Sequence, residues 1–194
     1  EFYENYEKGS KFLSSGVDGF MRELVDVPSE RIVPYGDFVP ESIAAICEFI
    51  SVSVHAVDRF KNTSHSIKSK IGIWGDGSLA YVTACILKQI FPDSEIAVIG
   101  RDSYKLYQFS FVEETYFSDD IPRDFCVDHA FECAGGEGSY YAIDDIIRYI
   151  NPQGTVMLLG VSENKVAINT RDILEKGLTF IGSSRSGIKD FRQV

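Results

Sequence analysis

The sequence predicts an α/β fold in which helices cover both faces of a parallel sheet. From residue 70 onward, short apolar runs alternate with stretches of helical periodicity, and a parallel crossover requires such a helix. The first apolar run ends in GDGSLA at 75–80, and a helical pattern follows at once. Glycines also end later apolar runs, where open parallel sheets bind ligands. These features are typical of the doubly wound Rossmann fold.

The N-terminal part lacks this alternation. Residues 1–18 are polar and aromatic with scattered glycines, which predicts an irregular loop. The apolar stretch at 19–27 predicts a strand that a proline ends. A proline and an acidic residue then open a long helical pattern. We therefore expect a separate part at 1–40 and a linking helix at 41–62.

Residues 63–194 predict one domain with six strands and four helices in alternation. The strands are expected at 70–75, 95–100, 112–117, 126–133, 154–160 and 178–183. The helices are expected at 78–90, 102–109, 138–150 and 170–175. Right-handed crossovers through these helices would place all the strands parallel in one sheet.

Composition argues against several classes of function. A net charge of −10 disfavours nucleic acid as a partner, because neutralising phosphates needs clustered Lys and Arg. No apolar run approaches the roughly 18 to 20 residues of a membrane span. Cys47, Cys85, Cys126 and Cys133 are scattered without metal-ligand spacing, and each falls among apolar residues. We expect buried free thiols, a cytoplasmic location and no membrane partner.

The glycine turn has the features of a dinucleotide-binding site. Gly75 permits the sharp bend from strand to helix, and Gly77 lets the backbone approach a diphosphate. A helix beginning there presents unpaired N–H groups, including those of Ser78 and Leu79, and the positive end of its dipole. Glycines also occur at strand-to-helix turns for steric reasons alone. The turn by itself therefore leaves open the alternative that no dinucleotide binds here.

The end of the second strand predicts which dinucleotide binds. NAD sites carry a carboxylate there, about 20 residues past the glycine turn, to accept hydrogen bonds from the ribose. This chain has Gly100-Arg101 instead, and a guanidinium suits a 2'-phosphate. Lys105 faces the same phosphate if a helix starts at Asp102. We expect NADP(H), with Asp76 directed away from the diphosphate. The alternative is that Arg101 and Lys105 are solvated surface charges.

Six segments follow one another in a specific order: DGFMRELVDVPSERIVP at 18–34, IAAICEFISVSVHAV at 43–57, the GDGSLA turn, VDHAFECAGG at 127–136, NPQGTVMLLGVSE at 151–163 and EKGLTFIGSSRSG at 175–187. In this order, and over essentially all 194 residues, the chain resembles the medium-chain dehydrogenases and reductases of the zinc alcohol dehydrogenase type. Within that superfamily it is most similar to the reductases that convert ribulose 5-phosphate into ribitol 5-phosphate for CDP-ribitol synthesis.

The resemblance implies a domain organisation. Residues 1–40 would be the C-terminal part of a GroES-like β catalytic domain, and 63–194 an NADP-binding Rossmann domain truncated near its end. Because the sequence also lacks an initiator methionine, we expect a piece of a longer protein. The superfamily pairs subunits through the edge strand of this domain, so we expect a homodimer formed through 178–183.

The resemblance also implies the chemistry. In this superfamily a zinc ion polarises the substrate carbonyl, and NADPH delivers hydride to its carbon. Glu48 matches a metal-associated position, and a cysteine with an adjacent histidine and glutamate is expected upstream of Glu1. The expected substrate is a ketose phosphate, with a product used in teichoic acid or capsule synthesis. A helix-dipole or packing role for Glu48 is an equal alternative.

Further site residues come from the same resemblance. It implies that backbone groups hold the nicotinamide end of the cofactor at Leu159, Gly160, Val161, Ser183, Ser184 and Arg185. Gly135 is a further cofactor-binding candidate, because it follows a strand at the carboxyl end, where open α/β sheets bind ligands. We expect His55 to be a core residue that donates to the backbone, and His129 to lie in the sheet near the adenosine side of the cofactor.

Two other functions stay open. The chain as it stands is a cofactor-binding module without turnover if the upstream zinc ligands are essential. It is a zinc-free reductase acting on enones or quinones if Glu48 has only a structural role. Metal analysis and a substrate panel would separate both from the sugar-phosphate reductase.

Overall fold

The computed structural model describes residues 3–194 and divides them into two units at a point inside one long helix. The first unit comprises the described residues up to His55 together with Arg185–Val194, and the second comprises Ala56–Ser184. The elements before residue 64 are a 3-10 turn at Glu4–Tyr6, β1 (Phe12–Leu13), β2 (Gly16–Val17), a 3-10 turn at Ser29–Arg31, α1 (Glu41–Ala44) and α2 (Cys47–Thr63).

Six parallel strands form the sheet of the second unit, in the order β5-β4-β3-β6-β7-β8. The strands are β3 (Lys70–Trp74), β4 (Glu95–Gly100), β5 (Glu114–Phe117), β6 (His129–Glu132), β7 (Thr155–Leu158) and β8 (Thr179–Gly182). The intervening helices are α3 (Ser78–Ile90), α4 (Ser103–Tyr107), α5 (Gly138–Tyr149) and α6 (Thr170–Lys176). The strand order reverses between β3 and β6, so the predicted doubly wound α/β fold is confirmed.

The central strands are buried because helices cover both faces of the sheet. Ile71, Ile73, Val98 and Phe131 have no exposed surface, and Trp74 is almost fully buried. Continuous apolar strands of this kind are typical of parallel sheets. The core therefore holds β3 rigidly up to the residue at which the glycine turn begins.

One prediction for the N-terminal part is wrong, and the predicted linking helix is present in two pieces. Residues 19–27 form no strand, and Met21 and Leu24 are fully or largely exposed, because no strand pairs with this stretch in the described part of the chain. The linking helix is interrupted at residues 45–46, where the N–H of Ile46 donates to the carbonyl of Ile43 three residues back. This tighter bond separates α1 from α2.

The first unit ends with the short helix α7 (Ile188–Gln193), whose Asp190 contacts His55. His55 is buried as predicted, but its neighbours are side chains rather than backbone. Its Nδ1 lies 3.1 Å from Oδ2 of Asp190, and its Nε2 lies 3.0 Å from the hydroxyl of Tyr6. Burial alone would raise the pKa of Asp190, but His55 and the N–H of Gly187 hold it below its ordinary value.

His129 lies in the sheet, as predicted, but at the amino end of its strand. It begins β6, at the end of the strand opposite Glu132, and therefore lies away from the ligand-binding edge of the sheet. Its Nδ1 accepts the N–H of Thr155 at 3.1 Å, and its Nε2 lies 2.9 Å from the carbonyl oxygen of Ile67. Burial lowers the pKa of His129 to about 4, with repulsion from His65 as the next cause.

Protonation of His129 should make the chain less stable in mild acid. The unfolded state takes up a proton near pH 6.5 and the folded state only near pH 4, so the free energy of unfolding should fall as the pH drops through this window. Across the whole window, the free energy of unfolding should fall by about 3 kcal/mol. Urea denaturation of the wild-type chain between pH 8 and pH 4 measures it. His129→Gln, which offers both an acceptor and a donor, should flatten this dependence, and an unchanged slope would contradict the assignment.

The four cysteines are free, as predicted, but not all are buried. Cys133 is buried, and burial strongly raises the pKa of its thiol. Cys85 and Cys126 are exposed, because one lies on an outward position of α3 and the other precedes β6. Among residues 3–194, no helix is both long and apolar enough to cross a membrane.

Candidate functional site

A cleft of about 880 Å³ opens within the second unit at the carboxyl ends of β3, β4, β5 and β6. It brings together residues that lie far apart in the sequence. Of the predicted site residues, the cleft is lined by Gly75, Gly77, Arg101 and Lys105. Its other lining residues include four side chains of α5 that the sequence analysis missed: Tyr141, Asp144, Asp145 and Arg148.

Gly75 makes the sharp bend that brings α3 back over the sheet. Its φ of +135° lies in a region that residues with side chains avoid, and its N–H donates to the carbonyl of Ile99 at 2.8 Å. A Cβ at this position would lie 2.8 Å from the backbone carbonyl carbon and oxygen of Cys133. Glycine is therefore required here by both the backbone conformation and the space available.

Gly77 has a different role. A Cβ there would meet no heavy atom within 4 Å, so the position faces open space rather than protein. It is the N-cap of α3, and no side chain caps this end of the helix. The first N–H groups of α3, from Ser78 and Leu79 onward, have no partner within the helix. The turn therefore offers backbone donors and a helix dipole beside the cleft, an arrangement that suits a diphosphate.

Two cationic side chains of the cleft were predicted from the sequence: Arg101, which follows β4, and Lys105, which lies in α4. Asp102 caps α4 by accepting the N–H of Lys105 at 3.1 Å, which confirms the predicted helix start. This start places Arg101 and Lys105 on the same cleft. Among residues 3–194, the guanidinium of Arg101 has no hydrogen-bond or ion-pair partner. It is therefore available to an anionic ligand.

Asp76 also lines the cleft, and its carboxylate is bonded to the backbone that follows β4. Its Oδ2 accepts the backbone N–H groups of Arg101 and Asp102 at 2.7 and 2.8 Å. A Cβ at Gly100 would lie 2.7 Å from the Cβ of Asp76. The carboxylate thus lies against Gly100 and is bonded to the backbone that follows it.

Glu132, which the sequence analysis did not single out, joins the loops that follow β6 and β7. It is 1% exposed, and its Oε1 accepts the N–H groups of Ala134 and Gly135 and the hydroxyl of Ser139 at 3.0 to 3.1 Å. Its Oε2 accepts the N–H of Gly160 at 3.0 Å. A signal was present in the sequence, since an acidic residue inside an apolar strand is rarely buried without partners.

The other predicted residues of these loops lie near Glu132 or near the end of β7. The N–H of Leu159 donates to the carbonyl of Glu132, and the carbonyl of Val161 accepts the N–H of Gly136 at 2.7 Å. The N–H of Ser183 donates to the carbonyl of Leu158 at 2.8 Å, and Ser184 follows it. Gly135, Gly160, Val161 and Ser183 thus follow the carboxyl ends of neighbouring strands.

Arg185 belongs to the first unit rather than to the sheet domain. Its guanidinium carbon lies 3.4 Å from the ring centroid of Phe12, within the range of a cation–π contact. Its φ of +64° is unusual for a residue with a side chain. Its predicted contact with the nicotinamide stays a prediction.

Glu48 lies in the first turn of α2 and is exposed. Zinc sites in proteins use three or four ligands. No group of three or more His, Cys, Asp or Glu side chains in the described part of the chain is arranged to hold a metal. The residues present thus offer one donor and do not by themselves fit a zinc ion.

Known proteins resemble this chain closely in sequence and structure. No protein-family model matches it. It is 56% identical over 194 residues to a ribulose-5-phosphate reductase of Streptococcus pneumoniae, covering 100% of the chain and 56% of the relative. It is 52% identical over 191 residues to ribulose-5-phosphate reductase 1 of Staphylococcus aureus, covering 98% of the chain and 56% of the relative. The chain is similar to ribulose-5-phosphate reductases along its whole length.

A solved structure supports the same relationship. The crystal structure of S. aureus TarJ in complex with NADPH matches with a TM-score of 0.87 and 51% identity, covering 91% of this chain and 56% of that chain. The resemblance identified from the sequence motifs is therefore confirmed. The chain spans about 56% of the length of the curated relatives it matches.

Proposed function

We propose that this chain binds NADPH and forms the cofactor-binding part of a reductase that transfers hydride to the carbonyl of ribulose 5-phosphate, giving ribitol 5-phosphate. One observation carries the proposal: the glycine turn and two cationic side chains, Arg101 and Lys105, line the same cleft. The similarity to ribulose-5-phosphate reductases, and to TarJ in complex with NADPH, supports both the cofactor and the substrate.

The residues of the cleft suit the two charged parts of this cofactor. In our proposal the backbone donors of Gly77, Ser78 and Leu79 bind the diphosphate, since the helix end attracts negative charge. Arg101 and Lys105 bind the 2'-phosphate by charge-assisted hydrogen bonds. Bound NADPH supplies the hydride.

The loops after β6, β7 and β8 would orient the nicotinamide ring. Glu132 fixes the N–H groups of Gly135 and Gly160, so the backbone around them keeps one arrangement. Fixed backbone groups of this kind determine which face of the ring meets the substrate. We propose this role for Gly135, Leu159, Gly160, Val161, Ser183, Ser184 and Arg185.

The remaining features of the whole enzyme are also proposals. Zinc would need ligands in addition to Glu48. A homodimer would form through β8, which pairs with β7 on one side and is the last strand in the sheet order. A cytoplasmic location, with a role in teichoic acid or capsule synthesis, agrees with the four free thiols and with the similarity to ribulose-5-phosphate reductases.

The cofactor assignment is tested by titrating NADPH and NADH into the chain and following fluorescence. We expect tighter binding of NADPH. Arg101→Asp should weaken NADPH binding by at least about tenfold, because a charge-assisted contact worth roughly 1.5 to 3 kcal/mol is lost and repulsion replaces it. Binding of NADH should change much less.

Arg171→Asp is the matched control for net charge. Arg171 lies on α6, pairs with Glu175 and does not line the cleft, so this variant should bind NADPH like the wild-type chain. Equal affinity of the wild-type chain for NADPH and NADH would refute the cofactor assignment. Equal losses of NADPH affinity in Arg101→Asp and Arg171→Asp would refute the role of Arg101.

The substrate is tested separately by turnover. A panel of ribulose 5-phosphate, other ketose phosphates, quinones and enones, each with NADPH, distinguishes a sugar-phosphate reductase from a zinc-free reductase of another branch. We expect oxidation of NADPH with ribulose 5-phosphate in the presence of the whole enzyme. Preference for an enone would overturn the substrate assignment while leaving the cofactor assignment intact.

A further inference from the structure

Asp76 is an unusual residue to find between the two glycines of the turn. A carboxylate beside a diphosphate site would repel the ligand if its charge faced the cleft. Its side chain is 16% exposed and is directed toward the end of β4. The carboxylate is therefore bonded within the protein, although Asp76 lines the cleft.

The hydrogen bonds of Asp76 fix the backbone that carries Arg101. Oδ2 accepts the N–H of Arg101 at 2.7 Å and the N–H of Asp102 at 2.8 Å. These two residues connect β4 to α4, and their N–H groups follow the last strand residue, Gly100. One carboxylate oxygen thus ties the glycine turn to the neighbouring strand end.

The side chain of Asp76 occupies the space beside Gly100. A Cβ at Gly100 would lie 2.7 Å from the Cβ and 2.8 Å from Oδ2 of Asp76. Any side chain at position 100 would displace the carboxylate. Gly100 stands at the strand end where NAD sites carry a ribose-binding carboxylate. Because Gly100 has no side chain, it also leaves room for Asp76.

The charge of Asp76 is offset locally. Two backbone N–H groups point at Oδ2, and the ammonium of Lys105 lies 4.0 Å from Oδ1. Lys105 is therefore attracted toward the same side of the cleft as Arg101.

We propose that Asp76 is the positioning residue of the 2'-phosphate subsite. It fixes the backbone at Arg101 and Asp102 and attracts Lys105, so that both cations face one phosphate group. Its contribution is selective for NADPH over NADH, because it acts through the two cations and not on the cofactor itself. This inference rests on the proposed function.

The test compares Asp76→Ala and Asp76→Asn in titrations with NADPH and NADH. Asp76→Ala should weaken NADPH binding by about tenfold and NADH binding by less than about threefold, since the loss of two hydrogen bonds frees the backbone beneath Arg101. Asp76→Asn keeps one oxygen that can accept both N–H groups, so it should stay within about threefold of the wild type. If Asp76→Ala does not fold, Asp76→Ser carries the same test, because its shorter side chain cannot reach both groups.

A double-mutant cycle with Arg101→Ala tests whether Asp76 acts through Arg101. In the Arg101→Ala background, Asp76→Ala should lower the logarithm of the NADPH affinity by less than half as much as it does in the wild-type chain. The reason is that the two residues share one interaction. Full additivity would overturn the inference. Equal losses for NADPH and NADH, which a general structural role in the turn would give, would overturn it too, as would no loss or tighter NADPH binding. If the wild-type chain itself shows no preference for NADPH, the proposed function fails instead.

Discussion

Gly75→Ala is expected to lower the free energy of unfolding by about 3 kcal/mol or more, because it combines backbone strain with steric overlap. Alanine rarely adopts the φ of +135° found here, and its Cβ would lie 2.8 Å from the carbonyl group of Cys133. Neither group is a flexible side chain that could move aside. Urea denaturation followed by circular dichroism measures the change.

Gly77→Ala is the matched control, since it adds the same methyl group two residues away. Its φ of −86° is ordinary for alanine, and no heavy atom lies within 4 Å of the added Cβ. Stability should change by less than about 1 kcal/mol, because only a small N-cap preference is lost. NADPH binding should nevertheless be abolished, because the methyl group occupies the approach of the diphosphate. A stable Gly75→Ala chain, or normal NADPH binding by Gly77→Ala, would contradict these assignments.

The sheet domain was predictable because its signals are local. Each strand is a short apolar run, each helix has its own periodicity, and a bend between them needs glycine at Gly75. The six strands and four helices expected from residue 70 onward all occur, with ends shifted by a few residues. The N-terminal part was not predictable in this way. Its apolar stretch at 19–27 needed a partner strand, which a local pattern does not reveal.

The contacts that organise the cleft were missed because they join residues far apart in sequence. Asp76 binds the N–H groups of Arg101 and Asp102, 25 and 26 residues further along the chain. Glu132 binds the N–H of Gly160, 28 residues away. The sequence predicted that Asp76 points away from a diphosphate, but its hydrogen-bond partners became evident only when β3 and β4 were paired.

Glu132→Gln is expected to destabilise the chain by about 2 kcal/mol, because it leaves a buried donor facing another donor. All four partners of the carboxylate are N–H or O–H groups, and three of them share Oε1. An amide has a single acceptor oxygen. If that oxygen takes the three donors, the NH₂ group must face the N–H of Gly160. Glu137→Gln, the same change at an exposed neighbouring position, should leave stability unchanged.

The same variant separates the two ends of the proposed cofactor site. In Glu132→Gln the loop containing Gly160 should loosen, while the contacts of Arg101 are untouched. NADPH should therefore bind more weakly to this variant, whereas adenosine 2',5'-bisphosphate, which lacks the nicotinamide, should bind as it does to the wild-type chain. Arg101→Asp should weaken the binding of both compounds. If Glu132→Gln weakened both equally, Glu132 would support the fold as a whole, and the proposed nicotinamide end would lose its structural basis.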